Sequence, residues 1–295
     1  MQIGEKAVYG TMWWNEQPMG YVYIDNCLLG FKYNGTVPDN LEWSLRIDDG
    51  TRIIADNAFE DFDIITNVFI PNSLTHIGNK AFCYCNKLTN VLMGDSVEYV
   101  GESAFYGCYN LTSVRVSDVG SWCKILFETP EANPLYYAGH LYLDTEEIIK
   151  LNIPNTVKSI GDNAFVNCSN VTEVSVGCNV EYIGQEAFAG CSGVTQFISN
   201  AVVPPVCGAL ALNGIDKWNS TLRVVKGTKS AYQAADQWKD FFFIEDDIVS
   251  RIENRVHDKK NSTVLIYRLN GIKQGDTQNL PNGIYIKDGK KVFAQ

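Results

Sequence analysis

The fold follows from one stretch, Ile77-Gly-Asn-Lys-Ala-Phe-Cys-Tyr-Cys-Asn-Lys-Leu-Thr-Asn-Val-Leu-Met93, and from its return 23 residues later as Val100-Gly-Glu-Ser-Ala-Phe-Tyr-Gly-Cys-Tyr-Asn-Leu-Thr-Ser-Val-Arg-Val116. Each copy has a Gly after the opening aliphatic residue, an Ala-Phe pair, and a final stretch in which apolar residues alternate. The Ala-Phe pair occurs five times in this frame: Ala58-Phe59, Ala81-Phe82, Ala104-Phe105, Ala164-Phe165 and Ala187-Phe188. A fixed period of this length is typical of a solenoid, in which each coil covers the core of its neighbour.

The end of each repeat predicts a strand that points its alternate apolar residues inward, for example Val68 and Ile70. Strands that return in the same frame predict a parallel sheet on one face, with a step of about 4.8 Å from coil to coil. Leu45-x-Ile47 lies one period before Val68, so we expect the ladder to begin there. The Gly after the opening residue, as in Gly78, is expected to serve a sharp turn of the backbone.

The spacing between equivalent strand residues grows to 37 at one place, between Val114 and Leu151. This predicts an insertion of 14 residues in that coil, within the segment near 117–148. Because the segment is rich in aromatic residues, we expect it to protrude from an otherwise regular rod.

The chain is expected to have three parts. Residues 1–44 are predicted to form a degenerate N-terminal cap coil. Residues 45–247 are predicted to form the solenoid, with a C-terminal cap at 200–247. Residues 248–295 are predicted to form a small β-rich module, because their apolar residues alternate around turn residues. The C-terminal cap is expected to bury a group of large side chains, Trp238, Phe241, Phe242 and Phe243.

The chain of 295 residues carries a net charge of −10 and has a pI near 4.8. An acidic chain repels phosphate groups, which argues against nucleic acid and anionic lipid surfaces as partners and favours a neutral or basic ligand. No apolar run approaches the roughly 18 residues of a membrane helix. The first residues lack the charged and apolar segments of a signal peptide.

Four of the nine cysteines share one position of the repeat, and Phe62 takes that position in the first full repeat. A position that accepts Cys or Phe is an apolar packing site, so we expect a column of buried, reduced thiols. The alternative is a disulfide between neighbouring coils, which the parallel orientation of the side chains opposes. The four residues are Cys85, Cys108, Cys168 and Cys191.

The sequence contains none of the usual catalytic or cofactor motifs. It has no glycine-rich phosphate loop, no GxSxG and no HExxH. The histidines His76, His140 and His257 are far apart, which argues against a zinc site or a catalytic triad. No cofactor and no metal are therefore expected.

The outward-facing strand residues provide the first candidate binding surface, because repeat proteins commonly bind through such a face. Its candidates are an apolar pair, Phe69 and Leu92, and two cations, Arg115 and Lys150. The alternative for Phe69 and Leu92 is that the N-terminal segment with Trp13 covers them. The insertion offers a second set, Trp122, Tyr136 and Tyr137, whose alternative is packing of the loop onto its own coil.

The frame Ile-Gly-x-x-Ala-Phe-x-x-Cys-x-x-Leu-Thr-x-Val-x-Val resembles the Treponema pallidum-type leucine-rich repeats of BspA-like surface proteins. The resemblance covers about residues 45 to 245 and implies a right-handed β/α-type superhelix. It also implies a secreted or cell-surface protein, without shared catalytic residues, that binds host matrix proteins. The tail, Tyr267 to Gly271 and Gly283 to Lys291, resembles sorting domains that direct proteins through the outer membrane of Bacteroidetes. We therefore expect that an export signal preceded Met1.

These observations predict a non-catalytic surface or secreted adhesion protein that binds a protein or glycan. Two other classes stay open: a hydrolase acting on a glycan in a groove beside the insertion, and a structural spacer. The oligomeric state and the identity of the ligand do not follow from the sequence.

Overall fold

The structure is a computed structural model that describes residues 11–32 and 43–249, together with the backbone of four strands between 266 and 294. It divides into two compact units, Met1–Ile248 and Val249–Gln295. The larger unit carries all the repeats.

The longer strands of the larger unit form two sheets. The N-terminal front sheet has the spatial order Glu146–Glu147, Leu141–Leu143, Ser113–Val116, Asn90–Leu92, Ile65–Phe69, Trp43–Arg46, and all its pairs are parallel except the first. The C-terminal front sheet is parallel throughout and has the order Lys150–Asn152, Glu173–Val176, Gln196–Ser199, Thr221–Val225, Phe243–Ile248.

Each coil has a second side, and in most coils this side carries a strand of only two residues. The N-terminal side sheet begins with an antiparallel hairpin and has the order Gly20–Ile24, Cys27–Lys32, Ile53–Ile54, His76–Ile77, Tyr99–Val100, Leu126–Phe127. The C-terminal side sheet consists of Ser159–Ile160, Tyr182–Ile183, Val206–Cys207.

The register of the front sheet confirms the predicted repeat. Leu45 lies opposite Val68, Val68 opposite Val91, and Val91 opposite Val114, so each step along the sheet advances the chain by one period. These four side chains are completely or almost completely buried. The ladder begins at the strand that the sequence predicts.

Helices are few among the described residues, so the predicted repeat solenoid with a parallel sheet on one face is built mainly from strands and turns. In the described part of the chain they are short: Met12–Glu16, Val119–Trp122, Leu135–Ala138, Lys229–Ala234 and the 3₁₀ turn Pro130–Ala132. The reason lies in the turns that follow each short strand, because two residues per coil adopt a left-handed backbone. Lys80 and Tyr84 have φ of 53° and 58°, and Ser103 and Gly107 have φ of 54° and 79° one coil later. A right-handed helix does not continue through such residues.

Gly78 and Gly101 serve close packing between coils and not the predicted sharp turn. Neither has a positive φ. A Cβ on Gly101 would lie 2.3 Å from Oδ1 of Asn79 and 2.7 Å from its backbone nitrogen, in the preceding coil. That Oδ1 accepts a hydrogen bond from the backbone N–H of Glu102 at 2.9 Å. The glycine therefore allows a side-chain amide to bridge two coils.

The Phe of each Ala-Phe pair forms a spine through the core. The rings of Phe59 and Phe82 are stacked at 5.4 Å, those of Phe82 and Phe105 at 5.2 Å, and those of Phe165 and Phe188 at 5.4 Å. All five rings are buried. Burial of each one stabilises the fold by roughly 1.5–3 kcal/mol.

The insertion does not protrude as predicted, because it builds further core between Phe105 and Phe165. Trp122 is only 1 % exposed, and its ring lies 5.3 Å from that of the buried Phe127. The Trp122 Nε1–H donates to the carbonyl oxygen of Ala164 at 2.7 Å. The added residues thus give the interrupted coil an aromatic core of its own.

The caps differ in part from the prediction. At the C-terminal end Trp238 and Phe241 are buried as expected, but Phe242 and Phe243 are 62 % and 50 % exposed. Phe243 begins the last strand of its sheet, and Phe242 stacks on the exposed Trp218 instead of the core. At the N-terminal end the spine is closed by an aromatic group, Tyr21, Phe31, Trp43 and Phe62.

All nine cysteines are free, and the four repeat cysteines are buried. The thiols of Cys85, Cys108 and Cys191 each donate a hydrogen bond of 3.2 Å to a Phe carbonyl oxygen in the preceding coil. Burial raises the pKa of Cys108 and of Cys191 to about 12. The predicted column of buried thiols is therefore present.

The smaller unit contains a four-stranded antiparallel sheet. Its strands follow the order Lys273–Gln274, Ile266–Arg268, Gly283–Lys287, Lys290–Ala294. The last two strands pair on either side of Asp288-Gly289, two residues that lie outside the described part of the chain.

Candidate ligand-binding face

The outward residues of the N-terminal front sheet form one continuous column. Arg46 lies opposite Phe69, Phe69 opposite Leu92, Leu92 opposite Arg115, and Arg115 opposite Tyr142. We call these five residues the front column. It presents two guanidinium groups, two rings and one aliphatic side chain in sequence order along the sheet.

Both arginines of the front column stack on rings in neighbouring coils. The guanidinium carbon of Arg46 lies 3.9 Å from the ring centroid of Phe69. The guanidinium carbon of Arg115 lies 4.7 Å from the ring centroid of Tyr142. Arg115 also donates to the backbone oxygen of Asp144 at 3.1 Å. Such contacts hold a long side chain in place before a ligand arrives, which lowers the entropic cost of binding.

A polar column runs beside the front column. The Asn90 Nδ2 donates to Asn67 Oδ1 at 2.8 Å, the Asn67 Nδ2 donates to Ser44 Oγ at 3.2 Å, and the Ser113 hydroxyl donates to Asn90 Oδ1. These groups largely satisfy one another from coil to coil. They therefore provide a rigid polar border to the front column.

A cleft of about 520 Å³ opens where the front column meets the insertion. Volumes of this size are typical of ligand sites. The His140 Nδ1 lies 2.5 Å from Glu147 Oε1, and the Asn170 side-chain amide donates to the same oxygen. The lining consists of Asn90, Leu111, Thr112, Ser113, Arg115, Tyr137, Ala138, His140, Tyr142 and Glu147.

The structure brings together only some of the predicted site residues. Phe69, Leu92 and Arg115 share the front column, and Tyr137 reaches the same cleft as Arg115. Leu92 is 37 % exposed and Phe69 is half-buried beneath Arg46. Tyr136 is half-buried against Tyr137.

Two predicted residues do not belong to this surface. Trp122 is buried, so it is withdrawn as a ligand contact. Lys150 lies in the C-terminal front sheet, where its Nζ is 3.3 Å from Glu173 Oε2. Arg115 and Lys150 are therefore not neighbours on one face, because Tyr142 takes the position next to Arg115.

Among the lining residues that sequence reasoning missed are His140, Tyr142 and Glu147. The spacing of 37 residues hid an extra strand, Leu141–Leu143, between the two that were aligned. One signal was available, since Gly20 to Asp25 resembles Gly139 to Asp144. Both stretches prove to be the first strand of a hairpin that turns at an Asp with φ near +50°.

Within residues 11–32 and 43–249 no cluster of His, Cys, Asp or Glu could hold a metal ion. No helix in the described ranges is long and apolar enough to span a membrane.

The comparisons with known proteins agree with the repeat. A family model described as a BspA type leucine-rich repeat region matches in six copies, over residues 40–129 and 138–203. A comparison with curated proteins found no match.

Several solved structures are similar in part. A leucine-rich repeat protein from Bacteroides ovatus is 20 % identical over 71 % of this chain, with a TM-score of 0.42, and the match spans 60 % of that protein's length. The T. pallidum leucine-rich repeat protein is 16 % identical, with 84 % of this chain and 97 % of that one covered and a TM-score of 0.35. A leucine-rich cell surface protein from Faecalibacterium prausnitzii is 19 % identical, with 65 % and 57 % covered and a TM-score of 0.33.

The family match covers more than half of the chain and falls on the residues that build the front and side sheets. The spine of stacked phenylalanines and the buried thiols occupy the positions that define the repeat. The chain belongs to the BspA type leucine-rich repeat family.

Proposed function

We propose that this protein is a non-catalytic binding protein, secreted or held at the cell surface, that binds a protein or glycan through the front column and the adjoining cleft. The observation that carries the proposal is the front column itself. Five outward side chains from five successive strands combine cationic, aromatic and aliphatic groups on a rigid sheet. Arg and aromatic residues are the types that contribute most to binding at protein interfaces.

The export of the protein is part of the same proposal. It is supported by the family of the repeats and by the resemblance of the tail to sorting domains. The ligand is expected to be neutral or basic, because the chain carries a net charge of −10.

The cleft lies where the alternative of a glycan hydrolase placed its groove. Among its lining residues Glu147 is the only carboxylate, and it is engaged by His140 and Asn170. Glycosidases usually place two carboxyl groups around the bond that they cleave. The lining therefore favours binding over hydrolysis.

The test is a binding array of matrix proteins, mucins and glycans, followed by a comparison of two double variants. Leu92→Ala with Arg115→Ala alters the front column, and we expect affinity for the captured ligand to fall at least about tenfold, or about 1.4 kcal/mol. Ile198→Ala with Arg223→Ala is the matched control. Ile198 and Arg223 are also an apolar and a cationic neighbour, but on the C-terminal front sheet.

Equal loss of affinity in both double variants would contradict the placement of the site. Reproducible turnover of a glycan or peptide would overturn the non-catalytic proposal. A protein that binds nothing on the array and gives no turnover would favour the structural spacer.

A further inference from the structure

Five tyrosines from three successive coils meet on the turn side of the solenoid, and one of them, Tyr137, also lines the cleft beside the front column. The rings of Tyr84 and Tyr106 are 5.4 Å apart at 81°, those of Tyr109 and Tyr137 are 5.5 Å apart at 89°, and those of Tyr136 and Tyr137 are 5.1 Å apart at 76°. We call these residues the tyrosine cluster. Tyr109 is 65 % exposed, Tyr84 and Tyr106 are 40 % and 37 % exposed, and the other two are half-buried.

The backbone of Gly107 holds the cluster in place. Its N–H donates to the Tyr137 hydroxyl oxygen at 3.0 Å. Its φ is 79°, and a Cβ at this position would lie 2.4 Å from Cδ1 of Tyr84. The ring of Tyr84 therefore rests on a backbone that only glycine provides without displacement. The rings are positioned by the fold and do not need a ligand to order them.

The hydroxyl groups of Tyr84 and Tyr137 stay protonated at neutral pH. Burial and the neighbouring Tyr106 raise the pKa of Tyr84, and burial raises the pKa of Tyr137 to about 12. A protonated phenol donates one hydrogen bond and also offers an apolar ring face. The cluster thus combines apolar contact area with donors.

The arrangement matches an extended proline-rich chain. The rings of each pair are in edge-to-face contact, so it is their exposed faces that are available, and the flat apolar ring of a proline packs well on an aromatic face. Tyr84 and Tyr137 lie two coils apart, which is about 10 Å at the usual strand spacing. One turn of a polyproline II helix spans three residues and about 9 Å, so prolines three residues apart would meet ring faces at the two ends of the cluster. The backbone carbonyls of this helix are free to accept hydrogen bonds, and aromatic-lined grooves are a common way to bind it.

Acidic side chains lie at both ends of the cluster. Asp61 is exposed in the coil before Tyr84, and its N–H donates to the backbone oxygen of Cys83 at 2.9 Å. Glu131 is close enough to Tyr137 to contribute to its raised pKa. Negative charge at both ends of an uncharged cluster complements a neutral proline stretch with basic residues at its ends.

We propose that the tyrosine cluster binds a proline-rich segment in the polyproline II conformation that has basic residues beside its prolines. The proposal is independent of the front column and goes beyond the function proposed above, since four of the five tyrosines lie outside the cleft.

The experiment uses the full chain and a synthetic peptide of ten prolines with one arginine at each end, titrated by calorimetry. The control peptide replaces the prolines with alternating Gly and Ser. We expect the proline peptide to bind and the control peptide not to bind.

Tyr109→Ala and Tyr106→Ala should each weaken binding of the proline peptide about tenfold, since each removes one ring of a pair. Tyr182→Ala is the matched control, because Tyr182 is 39 % exposed on the side sheet, in the strand Tyr182–Ile183 outside the cluster.

A second pair of variants separates this site from the front column. The Leu92→Ala with Arg115→Ala variant should keep the affinity of the wild type for the proline peptide. Tyr109→Phe keeps the ring and should lose less affinity than Tyr109→Ala. The proposal is overturned if the peptide does not bind, if Tyr182→Ala weakens it as much as Tyr109→Ala, or if the Gly-Ser peptide binds equally well. Binding of a neutral oligosaccharide with loss in the same Tyr variants, without binding of the proline peptide, would also overturn it in favour of a glycan.

Discussion

The buried thiols show how single residues connect the coils. Each of Cys85, Cys108 and Cys191 reaches the carbonyl oxygen of the Phe one coil earlier. A thiol is small enough for the narrow space beside the spine and still offers a hydrogen-bond donor. An alkyl group would fill the space but leave that carbonyl oxygen without this partner.

The thiols make the fold sensitive to alkaline conditions. The pKa of Cys108 is about 12 in the fold and near 9 when unfolded, so only the unfolded chain loses this proton between these values. The contribution of the protonated Cys108 thiol to stability is complete below pH 9. Between pH 9 and pH 12, this thiol should lower the free energy of unfolding by about 1.4 kcal/mol per pH unit. Urea unfolding at pH 7 and pH 10.5 measures this for the wild type and for Cys108→Ala.

The variant should lose less stability on going to pH 10.5 than the wild type does, because it lacks one buried thiol. The exposed Cys178→Ala provides the control. If the free energy of unfolding falls equally in the wild type and in Cys108→Ala between pH 7 and pH 10.5, Cys108 is not protected from ionisation.

Removal of one ring from the spine tests the core directly. Phe105→Ala leaves a cavity beneath Phe82 and should lower the free energy of unfolding by about 3–5 kcal/mol. Phe242→Ala removes the same atoms from a ring that is 62 % exposed, so it should melt close to the wild type. Thermal unfolding followed by circular dichroism compares the two, and similar melting temperatures would contradict the assignment of Phe105 to the core.

At the scale of the coil, the sequence predicts the regular repeats well because a period of 23 residues determines which side chains face inward. The prediction fails at the insertion because spacing alone does not distinguish a protruding loop from an added layer of core. Trp122 and Phe127 lie outside the Ala-Phe frame, so nothing marks them as equivalents of the spine. The cleft depends on the strand Leu141–Leu143, which the 37-residue spacing concealed.

The insertion should therefore respond to mutation as core. Trp122→Ala removes a ring that is 1 % exposed and leaves the Ala164 oxygen without this donor, so we expect a loss of about 3–5 kcal/mol. Trp218→Ala is the matched control, since Trp218 is 70 % exposed. Melting temperatures and ligand binding should be measured on both. A Trp122→Ala protein that melts like the wild type but loses ligand would restore the original interpretation of Trp122 as a contact.

At the scale of the whole chain, the two units carry opposite charge. Nine of the 24 Lys and Arg residues and four of the 34 Asp and Glu residues lie in 249–295, which gives +5 for that segment and −15 for 1–248. The larger unit is therefore more negative than the net charge of the chain suggests.

We expect residues 1–248 to fold without the rest of the chain, because their core and both aromatic caps lie within this range. A fragment that ends at Ile248 should melt within a few degrees of the full chain and keep the affinity for its front-column ligand. Circular dichroism and the binding assay are the measurements. A fragment that does not fold would show that the smaller unit contributes to the core of the larger one.

The two front sheets, like the two side sheets, are not paired with one another within the described residues, and this break affects how the protein would respond to force. Across the break, contacts are individual ones, such as Gly161 N–H to the Cys123 oxygen at 2.8 Å and Trp122 Nε1–H to the Ala164 oxygen at 2.7 Å. If the protein is exported and binds a ligand as proposed, a pulling force would act on it. If the break yields before the ladders, each half would keep its own stacked coils, and the molecule would lengthen in a step.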